Sequence, residues 1–141
     1  MNENAQLKMK SVQIDGDDVS EVELTTECFY KFDNDMVEIT YEESEATGFQ
    51  GSTTCVAFNG SDSASIVRNG KYESNLLLET EKKHFCHYGT PFGSFVIGIN
   101  TSKIKNNLTA CGGDAYVKYS IDMNSSILSH NEIFFNITLS R

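Results

Sequence analysis

Arg68 is the residue whose chemistry stands out most in this sequence. Apart from Arg141 it is the only arginine, because the other nine basic residues are lysines. It directly precedes Asn69-Gly70, a dipeptide typical of tight turns between strands. A guanidinium there can pair with a carboxylate such as Glu27 or Glu43, or bind an anionic ligand at the end of a barrel. Both a structural ion pair and a binding role are open for Arg68.

The cysteines and histidines do not have the spacing of a typical metal site. The four cysteines are spaced 27, 31 and 25 residues apart, whereas zinc ligands usually come in close pairs. The local cluster His84-Phe85-Cys86-His87 would, on a strand, point His87 away from the other two ligands. We therefore predict no metal and no cofactor, and four buried, reduced thiols. Disulfides remain the alternative for these residues: Cys28, Cys55, Cys86 and Cys111.

An enzyme is the class of function that the sequence favours least. It contains neither a glycine-rich phosphate loop nor the strand-to-helix turn that exposes a nucleophilic serine. The adjacent Glu42 and Glu43 would lie on opposite faces of a strand, which disfavours a shared acid–base site. No catalytic residue is assigned.

The elements that would position these residues are strands. Alternation of apolar and polar residues recurs along the chain, for example at Val37, Ile39 and Tyr41, and no stretch sustains a helical period. Between eight and ten strands are predicted. Successive hairpins favour a closed antiparallel up-and-down β-barrel over a two-sheet sandwich, because closure removes exposed edges. The 141 residues form one domain, 1–141, in which residues 1–6 are expected to be flexible.

Aromatic side chains are predicted to fill this barrel. A barrel of about eight strands is just wide enough to be packed by side chains or to hold one small ligand. The predicted filling residues are Tyr41, Phe58, Tyr88, Phe92, Phe95 and Tyr119.

Charge is distributed unevenly. The formal net charge is −9, with −10 in residues 1–50 and +1 in residues 51–141. An acidic surface repels phosphate, so we expect neither nucleic acid nor an anionic membrane as a partner. The acidic stretch 15–45 could instead attract a basic partner, or serve only as solvated turns.

The compartment is predicted to be the cytoplasm. The first residues lack the basic and apolar regions of a signal peptide, and the apolar run Phe95–Ile99 is too short to span a bilayer. A secreted, disulfide-bonded glycoprotein is the alternative, because five Asn-x-Ser/Thr triplets are present. These triplets begin at Asn59, Asn100, Asn107, Asn124 and Asn136.

Several stretches together resemble a known family. In order they are Thr25-Thr26-x-x-Phe29-Tyr30, Ile39-Thr40-Tyr41-Glu42-Glu43, Arg68-x-Gly70, Tyr88-Gly-Thr-Pro-Phe-Gly93, Thr101 and Gly112-Gly113…Tyr119. They resemble the YwiB-like bacterial proteins, a domain-of-unknown-function family with a calycin-like (lipocalin-like) β-barrel. The resemblance covers roughly residues 7–140. It implies an intracellular bacterial barrel with no assigned activity, so no functional residue is carried over.

Two departures from related patterns affect the expected structure. Glu27-Cys28 stands where the family usually has a glycine, so we predict that the expected bend is a bulge. The arginine–tryptophan pairing of true lipocalins cannot form, because the chain contains no tryptophan.

Two hypotheses of function follow. In the first, the barrel binds a small molecule or lipid in its interior, the ligand being apolar or anionic. The contacts would come from Arg68, Tyr41, Glu43, Tyr88 and Tyr119. In the second, the protein is a structural or interaction protein whose acidic face, residues 15–45, docks a basic partner. In either case we expect a monomer or a weak homodimer.

Overall fold

The computed structural model describes residues 2–45, 47–124 and 126–139. These residues form ten β-strands joined by turns and short loops. The strands are β1 (Asn2–Asp15), β2 (Asp18–Asp33), β3 (Met36–Glu42), β4 (Ser52–Asn59), β5 (Ser63–Gly70), β6 (Ser74–Glu79), β7 (Lys83–Thr90), β8 (Gly93–Thr109), β9 (Gly112–Met123) and β10 (Ser126–Leu139).

The strands form one closed barrel. Each strand pairs antiparallel with its neighbour in sequence, and β1 also pairs with β10 from Ala5↔Leu139 to Ile14↔His130. The prediction of an all-β, closed, up-and-down barrel is confirmed, with the strand count at the upper limit of the predicted range. Among the described residues, no helix is long and apolar enough to cross a bilayer.

Alternation decides which side chains face inward. In β3, Val37, Ile39 and Tyr41 are buried, while Met36 and Glu42 are exposed. Because side chains on a strand point to alternate faces, this pattern fixes the register of each strand against the barrel interior.

Many of the largest core side chains lie toward the end of the barrel where β1 begins. The largest fully buried side chains include Leu7, Tyr30, Ile39, Phe58 and Leu78. The Tyr30 hydroxyl donates a hydrogen bond of 2.6 Å to the carbonyl oxygen of Thr109, which satisfies a polar group at this end. Aromatic and aliphatic side chains therefore plug this end.

The predicted aromatic filling is only partly correct. Tyr41, Phe58 and Tyr119 are buried, and Tyr88 is half-buried. Phe92, by contrast, is 92% exposed and Phe95 is 39% exposed. Phe92 lies in the turn between β7 and β8, and Phe95 lies near the start of β8, where it pairs with Tyr88.

β1 begins at Asn2, which pairs with Lys31, so residues 2–6 are part of a strand; Met1 lies outside the described residues. One local expectation, the turn at Asn69-Gly70, differs from the structure. Asn69-Gly70 ends β5 instead of forming the turn, which follows at residues 71–73. Gly70 has φ +122°, and a Cβ there would lie 2.6 Å from the carbonyl oxygen of Gly51, so close backbone approach requires glycine.

The bulge predicted at Glu27-Cys28 is wrong. The β1–β2 register runs without a shift from Asn2↔Lys31 to Asp15↔Asp18. Shifts occur between Thr101 and Lys103 in β8, and between Ile127 and Ser129 in β10. The two long partner strands leave no unpaired residue at Glu27-Cys28.

The four cysteines occupy different environments. Cys28 and Cys86 are buried, Cys55 is half-buried and Cys111 is exposed. The prediction of four buried thiols is therefore correct for Cys28 and Cys86, only partly correct for Cys55, and wrong for Cys111, which lies in the turn between β8 and β9.

This difference predicts an order of thiol reactivity. Cys111 should react fast with Ellman's reagent in the folded protein. Cys28 should react slowly, because burial raises its pKa to about 11 and the thiolate is the reactive form. Stopped-flow absorbance measures both phases. A fast phase that persists in Cys111→Ser would contradict the assignment.

Candidate ligand site inside the barrel

A cavity of about 200 Å³ lies inside the barrel at the end opposite the start of β1. All five residues predicted as ligand contacts line it: Arg68, Tyr41, Glu43, Tyr88 and Tyr119. Apolar side chains, among them Ile66, Leu76 and Phe135, complete the lining. The structure thus brings the whole predicted set together around one cavity.

The direction of the strands explains this convergence. Tyr41, Arg68, Tyr88 and Tyr119 lie on β3, β5, β7 and β9, which all run toward the same end of the barrel. Each follows an inward-facing core residue by two positions, as Arg68 follows Ile66. Odd-numbered strands therefore carry apolar residues into the plugged end and polar ones into the cavity.

Arg68 and Glu43 form a buried ion pair. Arg68 Nε lies 3.3 Å from Glu43 Oε2, and the two side chains are 11% and 1% exposed. Thr54 Oγ1 donates a hydrogen bond of 2.5 Å to the same carboxylate oxygen, and Arg68 Nη1 donates to Ser74 Oγ at 3.4 Å. Of the two carboxylates proposed from sequence, Arg68 contacts Glu43. The two formal charges neutralise each other beside the cavity.

The second carboxylate oxygen of Glu43 has no hydrogen-bond donor among the described residues. Glu43 Oε1 is buried and accepts no hydrogen bond within the described part of the chain. A buried acceptor without a donor costs about 1–3 kcal/mol, and more when it is charged. Because Glu43 lines the cavity, a donor located there would satisfy this oxygen.

Phe49 covers Arg68 at the mouth of the cavity. The guanidinium carbon lies 3.6 Å from the centre of the Phe49 ring, a cation–π contact. The ring also packs edge-on against Tyr72, with 5.8 Å between centroids. Sequence reasoning missed Phe49, which lies between Gly48 and Gly51 in the loop after β3; a lone aromatic in such a loop is the signal that could have identified it.

Tyr119 and Tyr41 of the cavity stay protonated near neutral pH. Burial raises the pKa of Tyr119, and the nearby Tyr88 raises it further. Burial, followed by the Glu43 charge, raises the pKa of Tyr41. Each hydroxyl keeps its proton and remains a hydrogen-bond donor.

Other candidate groups lie away from this site. His84 contacts Glu79 at 3.0 Å, and His87 is exposed on the outer wall. The acidic stretch 15–45 covers β2, β3 and the turns beside them. Asp18 begins β2 at the cavity end, Asp33 ends it at the far end, and Glu43 is inside.

Comparisons with known proteins agree with this architecture. The family described as "Domain of unknown function (DUF1934)" matches residues 7–134. The crystal structure of the ywiB protein from Bacillus subtilis is similar, with a TM-score of 0.73 and 20% sequence identity. The similarity covers 96% of this chain and 92% of that one, and at this identity it shows the fold alone. No curated protein matches the chain.

The buried ion pair predicts a large effect for Arg68→Met. The variant leaves the Glu43 carboxylate buried without its cation, so unfolding free energy should fall by about 3–5 kcal/mol. Adding Glu43→Gln should recover part of that loss. Urea denaturation measures both.

The control for this pair is Lys31→Met. It removes an exposed ion pair in which Lys31 Nζ lies 4.0 Å from Glu38 Oε2, and should cost less than about 1 kcal/mol. An Arg68→Met effect no larger than that of Lys31→Met would contradict the assigned role.

Two tyrosines outside the cavity predict loss of stability at high pH. Burial raises the pKa of Tyr30 and of Tyr116 to about 12, against an ordinary value of about 10. The folded state therefore holds protons that the unfolded state releases. This stabilisation is complete below about pH 10 and is lost as the pH rises toward about 12. Tyrosinate absorbance and circular dichroism during alkaline titration should change together, and full tyrosine ionisation with the fold intact would contradict it.

Proposed function

The chain belongs to the family described as "Domain of unknown function (DUF1934)", and we propose that its barrel binds a small molecule in the cavity beside Arg68 and Glu43. The observation that carries the proposal is Glu43 Oε1, a buried carboxylate oxygen at the cavity that lacks a donor among the described residues. A ligand bearing an ammonium, amide or hydroxyl group would supply that donor.

The size of the cavity supports a ligand smaller than a lipid. Pockets for drug-sized ligands measure about 300–1,000 Å³, and this cavity measures about 200 Å³. A compact molecule with one polar group directed at Glu43 and an apolar side against Leu76 and Phe135 fits that volume better than an acyl chain.

Charge supports a neutral or cationic ligand over the anion suggested by Arg68 alone. The guanidinium is already neutralised by Glu43 and covered by Phe49. An anion entering the cavity would meet the unpaired oxygen of a carboxylate, which is repulsive at close range.

The hydrogen bonding and protonation of the polar groups support ligand binding rather than catalysis. Glu43 is held by Arg68 and Thr54, and burial keeps Tyr41 and Tyr119 protonated. These groups are placed to hold a ligand in one orientation rather than to exchange protons with it.

We also propose a cytoplasmic location and a relation to the calycins. Asn100 and Asn136 carry two of the five glycosylation triplets, yet each donates its side-chain amide to an aspartate, Asp122 or Asp114. A glycan would break those hydrogen bonds, which supports a reducing compartment. The up-and-down meander with a cavity at one end supports the relation to the calycins.

Native mass spectrometry of the full chain, purified gently from cells, tests the binding proposal. We expect a bound small molecule that denaturation releases. Ser11 lines the cavity, so Ser11→Phe should fill the space and abolish the adduct.

Ser65→Phe is the matched control, because Ser65 alternates with the buried Ala64 and Ile66 on β5 and faces outward. It should keep the adduct. An equal adduct on Ser11→Phe, with both variants folded by circular dichroism, would place the ligand elsewhere. An unliganded wild type that gains no thermal stability from a small-metabolite extract would overturn the proposal.

A further inference from the structure

A second concave surface lies on the outside of the barrel. It is a groove of about 830 Å³ across the outer wall formed by β8, β9, β10, β1 and β2. Five lysines line it: Lys8, Lys10, Lys103, Lys105 and Lys118. They are five of the nine lysines in the chain.

The strand register places two aromatic rings between these lysines. Phe134 of β10 pairs with Lys10 of β1 on one side and with Tyr116 of β9 on the other, and Tyr116 pairs with Lys105 of β8. One row of outward side chains thus reads lysine, phenylalanine, tyrosine, lysine. Neighbouring strands are about 4.8 Å apart, so these four positions span roughly 14 Å.

The aromatic pair is fixed and partly open. The ring centroids of Tyr116 and Phe134 are 4.8 Å apart with an interplanar angle of 43°. The Tyr116 hydroxyl donates to Glu132 Oε1, which holds the ring in place, and Phe134 is 43% exposed. An exposed phenylalanine between cations offers a flat apolar surface flanked by positive charge.

The groove is locally basic although the chain is acidic. Its lining contains five lysines and two carboxylates, Glu23 and Asp114. Glu21 and Glu132 contact lining residues from its edge, so the formal charge of the surface is +1. Lys10 contacts Glu21 at 3.7 Å. Within the described residues, the other four lysines have no carboxylate within 4.0 Å.

We propose that this groove binds single-stranded nucleic acid. Lysines along the groove contact the phosphates, while unpaired bases stack on Phe134 and Tyr116, the combination by which single strands are bound without sequence preference. The expectation that the protein does not bind nucleic acid was based on the net charge of the whole chain. Binding depends instead on the local distribution of charge on the surface. An acidic protein partner would pair with the lysines, but it would give no role to the exposed Phe134 ring.

The test is fluorescence anisotropy with labelled oligo-dT and oligo-U of about 12 nucleotides, a length within the usual site size of such grooves. We expect binding at about 50 mM KCl that weakens markedly at about 200 mM, because bound phosphates release counterions. The affinities for oligo-dT and oligo-U show whether the groove prefers single-stranded DNA or RNA.

Charge-matched variants locate the binding surface. The triple variant Lys103→Gln, Lys105→Gln and Lys118→Gln should weaken binding at least tenfold. The control Lys31→Gln, Lys71→Gln and Lys82→Gln changes net charge equally outside the groove and should alter binding less than about twofold.

Stacking needs its own variant. Phe134→Ala should weaken binding about fivefold or more, whereas Phe85→Ala, which removes a 74% exposed ring elsewhere, should not. Equal losses in both lysine variants would overturn the proposal, as would the absence of binding at low salt. Tight binding to heparin with no effect of Phe134→Ala would also overturn it, since that result describes a surface for any polyanion, acidic proteins included.

Discussion

The pairing of β1 with β10 is the constraint on which the rest of the structure depends. It joins the two ends of the sequence over ten residue pairs, from Ala5↔Leu139 to Ile14↔His130, and turns a meander into a closed surface. Without it, both strands would expose unpaired backbone edges. Closure also defines an inside, so that every strand buries one alternate set of side chains and exposes the other.

Closure creates a low-dielectric interior in which a charged or polar side chain is costly unless it has a partner. Apolar side chains such as Phe58 are fully buried at one end. At the other end Arg68 and Glu43 are tolerable because they neutralise each other, while Thr54 donates to Glu43 and Arg68 donates to Ser74. Within the described part of the chain, one carboxylate oxygen of Glu43 lacks a donor, and that local imbalance gives the cavity its chemical character.

The fold and the inward residues could be predicted because alternation is a local property. Tyr41, Arg68 and Tyr119 each continue an apolar series in steps of two, which places them in the interior once closure is assumed. Phe95 was misassigned for the same reason. It continues the series of Ile97 and Ile99 in steps of two to the start of β8, where alternation no longer implies burial. Phe92 has no such series, because it lies in the turn between β7 and β8. Phe49 was not predicted, because its contact with Arg68 depends on the conformation of a loop, and a loop has no periodic pattern in the sequence.

The outer wall shows where local patterns stop being informative. Lys8 and Lys10 flank Met9, and Lys103 and Lys105 flank Ile104, so each pair is visible in the sequence as outward-facing residues of a strand. Nothing local connects the two pairs, which are more than ninety residues apart. They meet because β1 closes against β10, which brings the first strand beside β8–β10. The net charge of −9 conceals this groove, because most of the thirteen acidic residues among the first fifty lie outside its lining and outweigh its lysines in the sum. The arrangement of charge is therefore a property of the closed barrel, as the cavity is.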